Sequence, residues 1–286
     1  MYKYFSNRFG HNLRYKIIGH GDNQLLIVSG GPGLTLEYLK PFHDMLDKEQ
    51  FTVISYDYSG TASTKSPYLS SIADYASELN DFIDFLGLKG KLSIGGHSAG
   101  GAILMQYLLD YSGKVDNAIL MNSFTSGHQI KEAVGHRISS FPSDFHEKYK
   151  NFKVSKDSAL LDAAIAEYWF PRHLLKFGSI NEDLAISLEN YAKVEVGSYY
   201  IGNDLFDIDG AFLDWDIDDR LSEIKTRTLV MSGEYDYFTK EESLLLSTKV
   251  QNGQLWYSEQ ASHMPMYEDQ DNFMKSISEF LLLSSE

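Results

Sequence analysis

A pentapeptide at residues 96–100 constrains the fold of this chain more than any other feature. It reads Gly96-His97-Ser98-Ala99-Gly100, between an apolar run at 91–95 and a run with helical spacing at 102–109. Glycines two positions before and after a serine allow a strand and a helix to pack closely around a sharp, strained turn. The pattern therefore predicts a strand, a turn that carries the serine, and a helix.

The composition is that of an ordinary globular protein with enough apolar material for a large core. Of 286 residues, 43% are hydrophobic and 23% are charged, which allows one large α/β domain or a core with an inserted subdomain. The formal net charge of −15 argues against a nucleic-acid partner, because binding a phosphate backbone requires a basic face. The chain has no cysteine, which excludes disulfides, a thiolate nucleophile and cysteine-based metal sites.

Two further observations concern the location of the protein. The first eight residues, Met1 to Arg8, lack the apolar stretch of a signal peptide. No part of the sequence approaches the roughly 20 consecutive apolar residues that a membrane helix needs. We therefore expect a cytoplasmic protein without a membrane partner, and the sequence leaves its oligomeric state open.

Short β-rich runs alternate with helical stretches in two separated regions of the chain. The predicted strands, of which the first alternates like an edge strand, are 13–18, 25–29, 51–56, 91–95, 117–121, 228–232 and 254–257. The predicted helices are 72–86, 102–109, 241–250 and 273–283. This alternation predicts a mostly parallel sheet with helices on both faces.

A serine held between a strand and a helix in this way is typical of the nucleophile elbow of the α/β-hydrolase fold. In that fold a helical insertion after the sixth strand commonly forms a cap over the pocket. Between residues 124 and 220 the pattern changes to mostly helical, with aromatic clusters such as Tyr168-Trp169-Phe170. We therefore expect a helical cap at 124–220 and a core made of residues 1–123 and 221–286. Most of the cap aromatics are expected to pack the cap against the core.

A serine hydroxyl is a poor nucleophile at neutral pH, so it needs a base and a carboxylate that orients the base. In the α/β-hydrolase fold the acid and then the histidine follow the serine along the chain. Asp236 follows the predicted strand at 228–232, and His263 follows the last strand, so both are expected at the sheet edge that carries Ser98. The alternatives are a cap or turn role for Asp236 and a surface position for His263. Glu234 is the reserve candidate for the acid.

Two backbone N–H groups are needed to stabilise the oxyanion of an acyl-transfer reaction. We expect Ala99, the residue after the serine, to supply one of them. The other is expected from Gly31 in the loop at 30–33, where Pro32 has no N–H. A tight structural turn is the alternative for this loop. Its glycines lack the spacing of a nucleotide-binding loop, and we expect neither an organic cofactor nor a metal. His97 adjoins the serine and is expected to point away from it in a packing role.

Several segments together resemble the proline iminopeptidase family of α/β-hydrolases. They are SGGPG at 29–33 with EYL at 37–39, YDYSG at 56–60, GAFLDWD at 210–216, GEYD at 233–236 and SHM at 262–264. The resemblance extends from the N-terminal strands to the final helix. It implies an α/β-hydrolase fold with a capped pocket and a serine, histidine and aspartate acting together.

The chain departs from that family where the specificity for substrate is expected to lie. In the family, glutamates from the cap and from next to the catalytic aspartate bind the free amino terminus of the substrate. Here Leu205 and Tyr237 stand at those positions. Loss of an anionic partner for a buried ammonium group typically costs several kcal/mol. Glu37, Asp204 and Asp207 are candidate replacements, with a solvated or capping role as the alternative for each. Ser29 replaces the histidine that opens the family's Gly-Gly-Pro-Gly motif.

The resemblance implies a serine hydrolase that forms an acyl-enzyme with a short peptide, a small amide or a small ester. Proline iminopeptidase-like activity and small-molecule esterase or amidase activity without free-amine recognition are the two main alternatives. A non-catalytic homologue that binds a ligand is the third. The complete set of candidate catalytic residues argues against this last alternative.

Overall fold

Eight strands form a single sheet in the residues that the computed structural model describes, 1–88, 91–111 and 113–283. In chain order the strands are β1 (Lys3–Ser6), β2 (Asn12–Gly19), β3 (Asn23–Val28), β4 (Phe51–Tyr56), β5 (Leu92–His97), β6 (Asn117–Met121), β7 (Arg227–Gly233) and β8 (Gly253–Ser258). Their spatial order is β1-β2-β4-β3-β5-β6-β7-β8. The pairings of β1 with β2 and of β2 with β4 are antiparallel, and the others are parallel. The prediction of a mostly parallel sheet is therefore confirmed.

Helices cover both faces of this sheet. The α-helices are α1 (Lys40–Met45), α2 (Ile72–Leu86), α3 (Ala99–Asp110), α4 (Gly127–Ser139), α5 (Ser143–Ser155), α6 (Ser158–Ala164), α7 (Glu182–Tyr191), α8 (Val196–Ile201), α9 (Lys240–Lys249), α10 (Pro265–Glu268) and α11 (Gln270–Leu282). Leu26 and Val28 of β3 pack in one apolar cluster with α2 and α3, whereas Leu25 and Ile27 pack in a second cluster with α1 and α11. This division follows from the alternation of side chains along a strand. In the part of the chain that is described, no helix is long and apolar enough to cross a membrane.

Local capping signals explain where two of the core helices begin and end. The Ser71 side chain accepts a hydrogen bond from the Asp74 N–H at the start of α2, and Gly87 ends the helix with a φ of 57°. At the start of α9, Thr239 and Glu242 form a capping box. Both helices lie within one residue of their predicted bounds.

The stretch between β6 and β7 is helical, as predicted. Residues 122–226 are all described, and none of them belongs to a strand of the sheet. Besides α4 to α8, this insertion contains a π-helix at Ile165–Leu174 and 3-10 helices at Ala211–Asp214 and Asp218–Glu223. The proposed domain bounds at 124 and 220 remain a prediction.

Backbone hydrogen bonds join the two ends of the insertion. The Gly127 N–H donates to the Trp215 carbonyl, and the Ile217 N–H donates to the Thr125 carbonyl, each at 3.0 Å. The chain therefore leaves the core and returns to it at neighbouring points.

The edge of the sheet differs from the expectation. The sequence predicts 13–18 as an edge strand, but β2, which contains these residues, is the second strand, and β1 occupies the edge. β1 has four residues, and only Phe5 is buried among them. So short a pattern does not distinguish a strand from a loop in the sequence. The strand β1 forms because it pairs with β2.

Candidate active site

Ser98 occupies a strained turn between β5 and α3. Its φ of 53° and ψ of −121° lie outside the regions that side-chain-bearing residues usually adopt. The Ser98 N–H donates to the Met121 carbonyl at 2.8 Å, and the Ser98 carbonyl accepts from Ser123 Oγ at 2.8 Å. A Cβ added at Gly96 would lie 2.3 Å from the Gly100 carbonyl oxygen, so the turn requires glycine there. The end of β6 and the close packing of the two glycines therefore hold the turn.

The Asp236 carboxylate lies in the loop after β7 and is fully buried. Its Oδ1 accepts hydrogen bonds from His263 Nδ1 at 2.6 Å and from the Tyr237 N–H at 2.7 Å. Its Oδ2 accepts from Asn122 Nδ2 at 2.8 Å. An ionised carboxylate only accepts hydrogen bonds, so this arrangement places a hydrogen on Nδ1 of His263. Nε2 of the same ring is then free to accept a proton.

Two hydrogen bonds and one ring contact hold His263 in place. Its N–H donates to the His173 carbonyl at 3.0 Å, and its carbonyl accepts from His97 Nε2 at 2.8 Å. Its imidazole ring stacks on the Tyr237 ring with the centroids 4.0 Å apart and the planes at 9°. Ser98 and His263 line the same cavity.

His97 connects the loop after β3 to the backbone of His263. The His97 ring is fully buried, and burial lowers its pKa to about 3, so the ring is neutral. Nε2 faces a carbonyl and carries the hydrogen, which makes Nδ1 an acceptor. The Tyr38 hydroxyl lies 3.1 Å from Nδ1 and accepts in turn from the Gly30 N–H at 2.6 Å. The sequence predicts a packing role for His97, and the structure adds a directed chain of hydrogen bonds.

The N–H groups of the loop at 30–33 differ in their partners. Gly30 donates to Tyr38 as described, and the Gly33 N–H donates to the Tyr58 hydroxyl at 2.9 Å. Pro32 has no N–H to offer. Among the described residues, no hydrogen bond engages the Gly31 N–H, and Gly31 lines the cavity beside Ser98. This N–H is therefore available to a ligand.

The cavity has a volume of about 450 Å³ and is lined by both the core and the insertion. Part of its wall is the π-helix, in which the Leu175 N–H donates to the Phe170 carbonyl five residues earlier. Apolar side chains that the insertion contributes include Ile130, Leu161, Ile165, Trp169, Leu174 and Leu205. Within the described ranges, no Asp, Glu, Lys or Arg side chain lines this cavity. The site is therefore an apolar, partly aromatic chamber.

The four residues predicted to contact substrate divide into two pairs. Leu205 and Tyr237 line the cavity, whereas Glu37 and Asp204 do not. Arg14 donates a hydrogen bond to Glu37 at 2.9 Å.

Asp204, like Glu37, is paired with a basic side chain, in this case within the insertion. Its Oδ2 accepts from the Tyr149 hydroxyl at 2.8 Å and lies 3.3 Å from Lys153 Nζ. Glu37 and Asp204 therefore each have a cationic partner and lie outside the cavity lining, and their role as replacements for an amine-binding glutamate stays a prediction. Among the described side chains, no group of three or more His, Asp or Glu residues is placed to hold a metal ion.

Comparison with known proteins agrees with this architecture. The family model described as alpha/beta hydrolase fold matches residues 23–270. The chain belongs to the alpha/beta hydrolase fold family. It is 27% identical to the proline iminopeptidase of Saccharolobus solfataricus over 283 residues, which cover 96% of this chain and 90% of that protein.

Two solved structures show the same fold over almost the whole chain. The crystal structure of VinJ superposes with a TM-score of 0.88 at 20% identity and covers 98% of each chain. The crystal structure of the proline iminopeptidase of Mycobacterium smegmatis superposes with a TM-score of 0.85 at 21% identity, covering 99% of this chain and 100% of the other. The predicted fold class is confirmed, and the chain is a proline iminopeptidase-like α/β-hydrolase, an enzyme of the hydrolase class.

Some residues of the site in this hydrolase have no clear signal in the sequence. Tyr38 lies in a segment that resembles the family, but nothing in the sequence pairs its hydroxyl with a histidine 59 positions away. Asn122 carries no catalytic prediction in the sequence, and in the structure its side chain donates a hydrogen bond to Asp236. The aromatic cluster at 168–170 is the one signal for Trp169.

Proposed function

We propose that this hydrolase forms an acyl-enzyme at Ser98 and acts on small esters or amides whose acyl group is uncharged and largely apolar. The observation that carries the proposal is the cavity beside Ser98 and His263, whose described lining includes no Asp, Glu, Lys or Arg. A charged substrate group would lose its hydration there without gaining a counter-charge. An uncharged acyl group would be enclosed by side chains of matching polarity.

The hydrogen bond between Asp236 and His263, and the position of Ser98 and His263 on one cavity, support a two-step acyl transfer. Ser98 Oγ attacks the carbonyl carbon of the substrate while His263 Nε2 accepts the hydroxyl proton. The same ring returns the proton to the leaving oxygen or nitrogen, and the acyl group stays on Ser98. Water, deprotonated by His263, then releases the acid. Asp236 holds the ring in the tautomer that both steps require.

Gly31 and Ala99 are the proposed donors to the oxyanion. The availability of the Gly31 N–H supports the first assignment. Ala99 is the first residue of α3, where an N–H has no partner within the helix and the helix dipole favours negative charge. Together they would stabilise the charge that develops on the carbonyl oxygen.

A proline iminopeptidase-like aminopeptidase is the second candidate, supported by the name of the relative from Saccharolobus solfataricus. Such a substrate has a positively charged amine. The position expected to carry one glutamate holds Tyr237, whose ring stacks on His263. The other holds Leu205, so the described lining offers the amine no carboxylate. A cytoplasmic location and a small-molecule substrate remain predictions that go with either candidate.

A fluorophosphonate probe distinguishes a serine hydrolase from a protein that only binds a ligand. We expect the wild-type protein to gain the mass of the probe at Ser98 and to hydrolyse p-nitrophenyl heptanoate. Ser98→Ala should not be labelled and should lose activity by about 10⁴-fold or more. Ser179→Ala, at an exposed serine of the insertion, is the matched control and should be labelled normally. A wild-type protein that resists the probe and cleaves no ester would refute the proposal.

A matched pair of anilides distinguishes the two enzymatic candidates. The pair is L-proline p-nitroanilide, with a free amine, and its N-acetyl derivative. We expect kcat/KM to be higher for the acetylated compound, because burial of the ammonium group is unfavourable in this cavity. A clear preference for the free amine would support the aminopeptidase instead.

A further inference from the structure

Trp169 has a buried polar atom that no protein group satisfies. Its side chain is 1% exposed and lines the cavity, and its Nε1 has no hydrogen-bond partner. Buried indole N–H groups normally have a partner, because they donate and cannot accept. In the same chain, Trp215 Nε1 donates to Gln106 Oε1 at 2.9 Å. Among the described residues that line the cavity, Trp169 therefore carries a buried N–H without a hydrogen-bond partner.

The hydroxyl of Tyr237 lies close to this N–H. The Trp169 and Tyr237 rings are 4.9 Å apart and tilted by 43°, and both line the cavity. Burial raises the pKa of the Tyr237 phenol, and the nearby indole N–H opposes that rise, but the two groups do not form a hydrogen bond of normal geometry. The phenol is therefore neutral and can both donate and accept.

We infer that Trp169 Nε1 and the Tyr237 hydroxyl form a polar subsite that binds an uncharged oxygen atom on the acyl group of the substrate. This inference rests on the proposed function, because it names the acyl group that the same cavity takes. A ketone, an ether or an amide carbonyl on an apolar chain has the matching chemistry. An ammonium group does not match, because the indole only donates, and a carboxylate would find no described Lys or Arg beside it.

The subsite lies next to the reacting groups. The Tyr237 ring that carries the hydroxyl also stacks on the His263 ring at 4.0 Å. A substrate oxygen bound there would lie within a few bonds of the scissile carbonyl, and the rest of the acyl group would extend along the apolar wall of the cavity. The subsite therefore selects for the position of the oxygen as well as for its presence.

Four p-nitrophenyl esters test this inference: heptanoate and its 4-oxo, 5-oxo and 6-oxo derivatives. The measured quantity is kcat/KM for each oxo ester divided by that for heptanoate, after subtraction of the uncatalysed rate. We expect Trp169→Phe to lower the highest of these ratios by at least about fivefold, because the donor is lost while an aromatic ring remains. Tyr237→Phe should also lower it while keeping the ring stacked on His263. The intrinsic reactivity of each ester cancels when ratios are compared between variants.

Trp256→Phe is the matched control, since Trp256 lies in β8 and does not line the cavity. Its ratio should equal that of the wild-type protein. If Trp169→Phe is labelled by the probe at Ser98 but keeps a ratio within twofold of wild type, the subsite is refuted and the proposed function stands. If Trp169→Phe does not fold, the ratio for Tyr237→Phe decides in the same way. Failure of the wild-type protein to be labelled would instead refute the proposed function.

Discussion

Replacement of His97 by leucine tests whether the chain of hydrogen bonds from Gly30 to His263 stabilises the protein. The substitution removes one acceptor and one donor from a position that is fully buried. It leaves the Tyr38 hydroxyl and the His263 carbonyl without the partners they have at 3.1 and 2.8 Å. Each buried group left unsatisfied costs about 1–3 kcal/mol. The free energy of unfolding at pH 8 should therefore fall by about 2–6 kcal/mol.

The same substitution should have a smaller effect in acid. The pKa of His97 is lowered from 6.5 to about 3 by burial, so above pH 6.5 the ring is neutral in both the folded and the unfolded chain. As the pH falls below 6.5, only the unfolded chain takes up the proton, and the wild-type protein loses about 1.4 kcal/mol per pH unit through this group. Leucine has no such loss. The difference between wild type and His97→Leu should be about 2 kcal/mol smaller at pH 5 than at pH 8.

Urea unfolding at the two pH values, followed by circular dichroism, measures both effects. His128→Leu is the control, since His128 is exposed and its replacement should change the free energy of unfolding by no more than about 0.5 kcal/mol. Tyr38→Phe and the double variant with His97→Leu complete a cycle, in which we expect a coupling energy of about 0.5–3 kcal/mol. Equal stability of His97→Leu and wild type at both pH values, with no coupling, would refute the reasoning.

Two further predictions concern charge in the cavity and in the core. Tyr237→Glu combined with Leu205→Glu should raise kcat/KM for L-proline p-nitroanilide relative to its N-acetyl derivative, because the cavity gains carboxylates for the ammonium group. Steady-state kinetics would detect this rise, with Tyr237→Gln as the uncharged control. No rise in the kcat/KM ratio would contradict our explanation of the specificity. Glu78 accepts hydrogen bonds from Asn7 and Ser59, and burial raises its pKa from 4.5 to about 7. Ionisation then favours the unfolded chain as the pH rises, so Glu78→Gln should gain stability relative to wild type between pH 4.5 and 7 in urea unfolding. A difference independent of pH would contradict this account.

The sequence predicts those parts of the site that depend on chain order and strand ends. Ser98, Asp236 and His263 each follow an apolar run that reads as a parallel strand, and parallel strands of one sheet carry their ligand-facing loops at the same edge. The hydrogen bond between Asp236 and His263 agrees with that expectation. α2 is predictable for a similar local reason, since its cap and its terminal glycine lie within the segment itself.

The features that the sequence does not predict depend on distant partners. Glu37 lies near the Gly-Gly-Pro-Gly loop and is a candidate amine ligand in the sequence, but in the structure it is paired with Arg14 of β2. Residues 165–174 are predicted only as part of a mostly helical stretch, and the π-helical path is visible only in the structure. The unpaired Nε1 of Trp169 is likewise a property of the packing around it.

The hydrogen bonds that join the two ends of the insertion have a consequence for how such a protein can diversify. The segment leaves the core and returns to it at neighbouring points, next to the paired strands β6 and β7. A replacement segment joined at the same two points would have to supply the His263 N–H with one main-chain oxygen, the one that His173 provides here. Exchange of a single stretch of gene would thus change the wall of the cavity that the insertion contributes and leave the residues of the sheet unchanged.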